Sequence, residues 1–127
     1  MPDSSDDEWT VARHLEGRPA FAVELFAEFI RLVESLGPFT YSVSKTTITL
    51  KGTRRGFAGA RPVATGLRGY FDLQREVRDR RITSASPYTK RLFVHHFRVE
   101  DPSDLDAEFL GWLREAYAVG NGEHLRP

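Results

Sequence analysis

The spacing of the apolar residues changes at Gly37-Pro38, and this change constrains the fold more than any other feature of the chain. Before it, apolar side chains recur every three or four residues, as in an amphipathic helix: Ala22, Phe26, Phe29, Val33 and Leu36. After it, apolar and polar residues alternate, which predicts half-buried strands. Four to five strands are predicted, over residues 39–44, 47–51, 57–63, 67–73 and 90–99.

Helical spacing returns near the end of the chain. Asp101-Pro102-Ser103-Asp104 has the features of a helix start, and an apolar stripe runs from Leu105 to Tyr117. A short helix is also predicted between Trp9 and Leu15. The order helix, strands, helix predicts an α+β fold, in which the N-terminal and C-terminal helices pack on one face of an antiparallel sheet. The other face should then be open.

Length and composition predict one domain. With 127 residues, of which 40% are hydrophobic, the chain can bury a single core. We expect residues 1–8 to be a disordered acidic N-terminus, residues 9–120 a single α+β domain, and residues 121–127 a frayed C-terminal tail. The absence of cysteine excludes disulfides and thiolate catalysis. Without a signal sequence or a long apolar run, the expected location is the cytoplasm, with no membrane partner.

The charges are segregated along the chain, although the formal net charge is zero. Residues 38–98 hold thirteen lysines and arginines against three carboxylates, whereas residues 1–37 and 99–127 each carry a net charge of −5. Strand alternation would turn many of these cations toward the open face. A basic surface of this kind is suited to phosphate or carboxylate groups.

Several short motifs, spread over nearly the whole chain, carry a resemblance to a known family. They are Trp9-Thr10-Val11, His14-Leu15, Gly37-Pro38, Lys45-Thr46-Thr47-Ile48, Phe57-Ala58-Gly59, His95-His96-Phe97-Arg98, Asp101-Pro102, Leu105-Asp106, Trp112-Leu113 and Ala116-Tyr117. The chain resembles the uncharacterised bacterial family known as domain of unknown function 5655. The resemblance implies no activity, cofactor or catalytic residue.

We therefore expect a non-catalytic binding module whose basic sheet face receives an anionic ligand or nucleic acid. The candidate ligand-binding residues, chosen by strand parity, are Lys45, Lys51, Arg61, Arg68, Tyr70 and His96. No cofactor or metal is expected, because the neighbouring His95 and His96 would point to opposite faces. His95 should lie in the core with a hydrogen bond.

Other interpretations remain open. The basic strands of one chain could meet the acidic helices of another, which would make the protein an interaction module or a homo-oligomer. An enzyme using His96 or a lysine is a third possibility, although no nucleophile, base and orienting acid can be assembled from the spacing. Gly59 and Gly69 fall within predicted strands, where glycine more often marks close packing than a phosphate-binding loop.

Overall fold

The computed structural model describes residues 9–89 and 91–125. Its helices are α1 (Val11–Leu15), α2 (Ala20–Glu34) and α3 (Ala107–Gly120), with short 3-10 helices at Pro102–Asp104 and Glu123–Leu125. Its strands are β1 (Thr40–Val43), β2 (Ile48–Lys51), β3 (Gly56–Val63), β4 (Gly66–Leu73), β5 (Ile82–Thr89) and β6 (Leu92–Val99). The predicted disordered N-terminus, Lys90 and residues 126–127 lie outside the described residues. Among the described helices, none combines the length and apolar character needed to cross a membrane.

The strands form one antiparallel sheet in the order β1-β2-β3-β4-β6-β5, which confirms the predicted α+β class with an antiparallel sheet. The sheet has six strands, so the prediction of four to five was slightly low. The strand that we missed is β5, which lies at an edge of the sheet and reads ITSASPYT. Its polar residues and Pro87 hide the strand signal, and an edge is where proline is tolerated in a sheet.

The core is built on aromatic rings from the sheet and from both long helices. Phe71 on β4 stacks on Phe97 of β6 at 5.5 Å between centroids, and Phe109 of α3 meets both rings edge-on at 5.8 and 5.1 Å. Phe29 of α2 closes the cluster at 5.8 Å from Phe97. Pairs in these geometries add about 0.5–1.5 kcal/mol each beyond the burial of their apolar area.

The strand residues that alternate with this core form a second set, which we call the polar face. Arg68, His96 and Arg98 are exposed, while Arg61 and Tyr70 are half-buried. A β-bulge between Leu50 and Lys51 interrupts the alternation at one end of the β2–β3 pair. The register is regular from Gly59 to Val63, so the parity of Arg61 is the predicted one.

The C-terminal helix begins later than predicted. The Asp101 carboxylate accepts a hydrogen bond from the backbone N–H of Ser103 at 2.9 Å, but it caps only the 3-10 helix Pro102–Asp104. The backbone leaves helical geometry at Leu105, and Asp106 then caps α3 by accepting from Phe109 N–H at 3.0 Å. Both aspartates are therefore helix caps, each for a separate helix.

The charged run 75–81 has the composition of a solvated loop, but Arg81 at its end is buried. Its side chain is only 4% exposed. The guanidinium donates to Asp79 at 2.8 Å, to Asp106 at 2.8 Å and to Glu108 at 2.6 Å. It also lies 4.7 Å from the ring centroid of Trp112. This ion cluster, in which the guanidinium is buried and the carboxylates reach water, joins the start of β5 to the start of α3.

Substitution Arg81→Gln should lower the free energy of unfolding by about 2 kcal/mol, because it removes the hydrogen bonds that the buried guanidinium donates to charged partners. Urea unfolding monitored by Trp fluorescence measures this. Arg78→Gln is the matched control, because that arginine lies in the same segment and is 87% exposed. Its expected loss is below about 0.5 kcal/mol. Equal losses in the two variants would show that the buried contacts of Arg81 stabilise the fold no more than an exposed arginine does.

Candidate functional site

Three arginines lie side by side across the polar face. Arg61, Arg68 and Arg98 pair directly in register on the neighbouring strands β3, β4 and β6. Side chains in such a row begin about 5 Å apart, so the three positive charges reinforce one another. Among the described residues, the nearest carboxylate oxygen belongs to Glu100, 4.0 Å from Arg98, and no carboxylate within 4.0 Å neutralises Arg61 or Arg68. We call these three residues the arginine row.

A second row, one step along the strands, is aromatic. Tyr70 on β4 pairs with His96 on β6, and their ring centroids are 6.3 Å apart. On the other side Tyr70 pairs with Gly59, where a Cβ atom would stand 2.6 Å from the tyrosine ring. The missing side chain at Gly59 therefore lets the ring of Tyr70 lie across β3. The hydroxyl of Tyr70 lies 3.2 Å from Thr49 Oγ1, within hydrogen-bond distance, and burial raises the pKa of Tyr70.

A shallow depression lies beside the two rows. It encloses about 330 Å³ and is lined by Arg68, Thr83, Ser84, His96, Phe97 and Arg98. The Thr83 hydroxyl is already engaged, since it donates to the carbonyl of His96 at 3.2 Å. The depression thus offers two guanidinium groups, an imidazole and the Ser84 hydroxyl to one ligand group.

The structure brings together four of the six residues predicted for the site: Arg61, Arg68, Tyr70 and His96. The other two lie apart from this group. Lys45 lies in the β1–β2 turn, beyond the strand pairs, and Lys51 lies at the far end of β2, next to the bulge. Alternation along a strand predicts the face of a side chain only inside a regular strand pair. Lys45 lies in a turn and Lys51 lies beside a bulge, so alternation wrongly grouped them with the other four residues.

Arg98 belongs to the site and was left out of the predicted set. It has the same strand parity as His96 and is directly opposite Arg68. The two-residue spacing between His96 and Arg98 could have identified it. The β4–β6 pairing could not be read from the sequence, because β5 lies between these strands in the chain.

Asp72 is the one buried carboxylate among the described residues of the polar face. It lies on β4 two residues after Tyr70, and Arg55 Nη2 donates to it at 3.1 Å. Burial raises the pKa of Asp72 to about 6, and the nearby Arg55 opposes this shift. Asp72 is therefore charged at neutral pH and offsets the charge of Arg55, but it does not touch the arginine row.

His95 lies in the core and is fully buried, as predicted. Its Nε2 accepts from the backbone N–H of Val77 at 2.9 Å, so the ring proton sits on Nδ1 and is donated to the carbonyl of Phe93 at 3.1 Å. Burial lowers the pKa of His95. Both ring nitrogens are therefore occupied in the neutral form, which leaves His95 a structural role.

Within the described parts of the chain, no group of three His, Asp or Glu side chains is placed to hold a metal ion. The arrangement of the polar face can bind charge and stack against flat groups. Its described side chains contain no base held by an acid next to a nucleophile.

These features define the class of protein as a small α+β domain with a basic, aromatic sheet surface. Residues 11–120 match the family model described as a domain of unknown function (DUF5655), and the chain belongs to that family. The resemblance read from the sequence motifs is thereby confirmed. No curated protein and no solved structure gives a significant match to the chain.

The raised pKa of Asp72 gives a pH-dependent prediction. Between about pH 6 and pH 4 the folded state holds a proton on Asp72 that the unfolded state has released, so acid favours the folded wild type. The free energy of unfolding of wild type minus that of Asp72→Asn should therefore rise as the pH falls from 7 through 6, and level off below pH 4. Urea unfolding across this pH range measures the difference.

Asp79→Asn is the control with the opposite sign. The hydrogen bonds from Arg81 lower the pKa of Asp79 to about 2. The free energy of unfolding of wild type minus that of Asp79→Asn should stay constant above pH 4 and decrease as the pH falls toward 2. The same trend in both variants would show that at least one of the two carboxylates lacks the environment described.

The close contact between Gly59 and Tyr70 predicts a coupled pair of substitutions. Gly59→Ala should cost about 1–3 kcal/mol, because the new methyl group displaces the tyrosine ring and also stands 2.9 Å from the backbone carbonyl oxygen of Ile48. The double variant Gly59→Ala/Tyr70→Ala should lose less than the sum of the single variants. Gly111→Ala is the control, since a Cβ there meets nothing within 4 Å and the residue lies within α3. Additive losses at positions 59 and 70 would exclude the packing described.

Proposed function

We propose that this domain is a non-catalytic binding module that holds an anionic, phosphate-bearing ligand on the polar face of its sheet. The proposal includes the expectation that α2 and α3 cover the opposite face. Contacts of both helices with β3 and β4, and their shared core with Phe71 and Phe97, support that arrangement. The polar face is then the one available to a ligand.

The arginine row is the observation that carries the proposal. Guanidinium groups present donors in a fixed fork that matches the oxygens of phosphate and carboxylate. The row crosses two interstrand spacings, about 10 Å, so it can contact more than one anionic group at once. Among the described residues, the carboxylate of Glu100, 4.0 Å from Arg98, is the one acidic group that pairs with these three guanidinium groups.

The aromatic row favours nucleic acid over a simple anion. Tyr70 and His96 present rings immediately next to the arginines, and bases stack on such rings while the phosphates meet cations. Gly59 and Thr49 hold the Tyr70 ring in place, so little side-chain entropy is lost on binding. A single strand is the form whose bases are free to stack in this way.

The test is a fluorescence anisotropy titration with a labelled oligothymidylate of about twelve nucleotides at several salt concentrations. Wild type should bind with an affinity that falls as salt rises, since cations on the protein displace counterions. Arg68→Gln should weaken binding and reduce the slope of log affinity against log salt by about 0.7, the value for one phosphate contact on a single strand.

Arg114→Gln is the matched control, because this exposed arginine lies on α3, away from the strands. It should leave affinity and slope unchanged. Equal effects of the two substitutions would show that binding is diffuse and would exclude a site on the polar face. Absence of oligonucleotide binding, with binding of pyrophosphate that Arg68→Gln weakens, would assign the face to a smaller phosphate-bearing ligand.

The interaction alternative makes a different prediction. If basic strands meet acidic helices of a second copy, sedimentation should reveal a dimer that dissociates at high salt. Part of the required charge is already paired within the chain, since Arg75 contacts Glu115 at 2.7 Å and Arg81 contacts Glu108 at 2.6 Å. We therefore favour a ligand-binding function over self-association. A salt-sensitive dimer that does not bind the oligonucleotide would favour self-association instead.

A further inference from the structure

A second cluster of arginines, joined by a histidine, lies at the other end of the sheet from the arginine row. Arg54 and Arg55 come from the β2–β3 turn, Arg91 from the β5–β6 turn, and His124 from the last 3-10 helix. Together with apolar side chains they line a cavity of about 490 Å³, which we call the arginine cavity. Its volume is in the range of small-molecule sites.

Backbone hydrogen bonds fix the turn that carries two of these arginines. The N–H groups of Arg54 and Arg55 both donate to the carbonyl of Gly120, at 2.9 and 3.1 Å, and Thr53 N–H donates to Asn121 Oδ1 at 3.0 Å. The turn thereby satisfies a carbonyl at the end of α3, which has no partner within the helix. The two guanidinium groups therefore extend from a backbone held by α3.

The other two groups are also tied together. Arg91 Nη1 donates to the carbonyl of His124 at 3.3 Å. The Nδ1 atom of His124 is buried and has no hydrogen-bond partner among the described residues. Burial lowers the pKa of His124, and the positive charges of Arg55 and Arg91 lower it further. Positive potential thus accumulates at this end of the sheet.

The lining chemistry defines the ligand. None of the described lining residues is acidic, and Arg54 and Arg91 form no ion pair with described residues, whereas Arg55 is held by Asp72. Leu92 and Leu125 supply the apolar part of the wall. We propose that the arginine cavity binds a small phosphomonoester, with the phosphate between Arg54 and Arg91 and the organic group against the two leucines. None of the lining residues belongs to the arginine row, and this proposal does not depend on the function proposed for that row.

The test is an NMR titration of the isotopically labelled chain with phenyl phosphate, followed through backbone amide shifts. Saturable shifts should appear at Arg54, Arg55, Arg91 and His124. Arg54→Gln and Arg91→Gln should each weaken binding by about tenfold, the loss expected for one hydrogen bond to a charged group. Both arginines are exposed, so neither substitution should alter the thermal unfolding midpoint, which is measured alongside.

The double variant Arg61→Gln/Arg68→Gln is the control that separates this site from the polar face, and it should bind phenyl phosphate as wild type does. Shifts that do not saturate, or that occur only around the arginine row, would overturn the proposal. So would unchanged affinity in Arg54→Gln and Arg91→Gln. Inorganic phosphate should bind more weakly than phenyl phosphate, and equal affinity for the two would overturn the assignment of an organic ester.

Discussion

The buried guanidinium of Arg81 is the interaction on which the arrangement of the second half of the chain depends. It stacks on Trp112 and is held by carboxylates from the loop before β5 and from the first turn of α3. Asp106 acts twice, because it accepts from Arg81 and also caps α3. The same ion cluster therefore sets where β5 starts and where α3 starts. A buried ion group of this kind specifies an arrangement more clearly than it adds stability, because desolvation offsets much of the attraction.

The ion pairs of this region also determine which arginines remain without a carboxylate partner. Carboxylates of the loop, of the 3-10 helix Pro102–Asp104 and of α3 pair with Arg75, Arg80 and Arg81. The formal net charge of zero is thus reached partly by local pairing rather than by even mixing. Exposed charges farther apart than about 8 Å are largely screened at physiological salt, so distant acidic groups do little to neutralise the polar face. A chain that is neutral as a whole can therefore have a strongly positive surface.

Strand alternation predicted the polar face because it is a local property. Arg68 and Tyr70 share a face because they are two residues apart on β4, and Arg61 and His96 join them because β3 and β6 pair with β4 in regular register. The burial of Arg81 could not be predicted in this way, because two of its partners come 25 and 27 residues later in the chain and are brought to it only by the tertiary fold. The polar strand β5 was missed for a related reason: it is defined by its partner strand and not by its own apolar pattern.

The arginine row and the arginine cavity differ in how the unliganded protein accommodates their charge. In the cavity, Asp72 holds one arginine, and hydrogen bonds to α3 hold the turn that carries two of them. In the row, the three side chains face one another in register, and repulsion between like charges directly opposite costs about 0.2–1 kcal/mol per pair. That cost is small enough for the fold to tolerate, since the groups are partly exposed to water. An anion bridging the row would replace repulsion with attraction at each arginine, so occupancy of the polar face and stability of the sheet are coupled by the same three side chains.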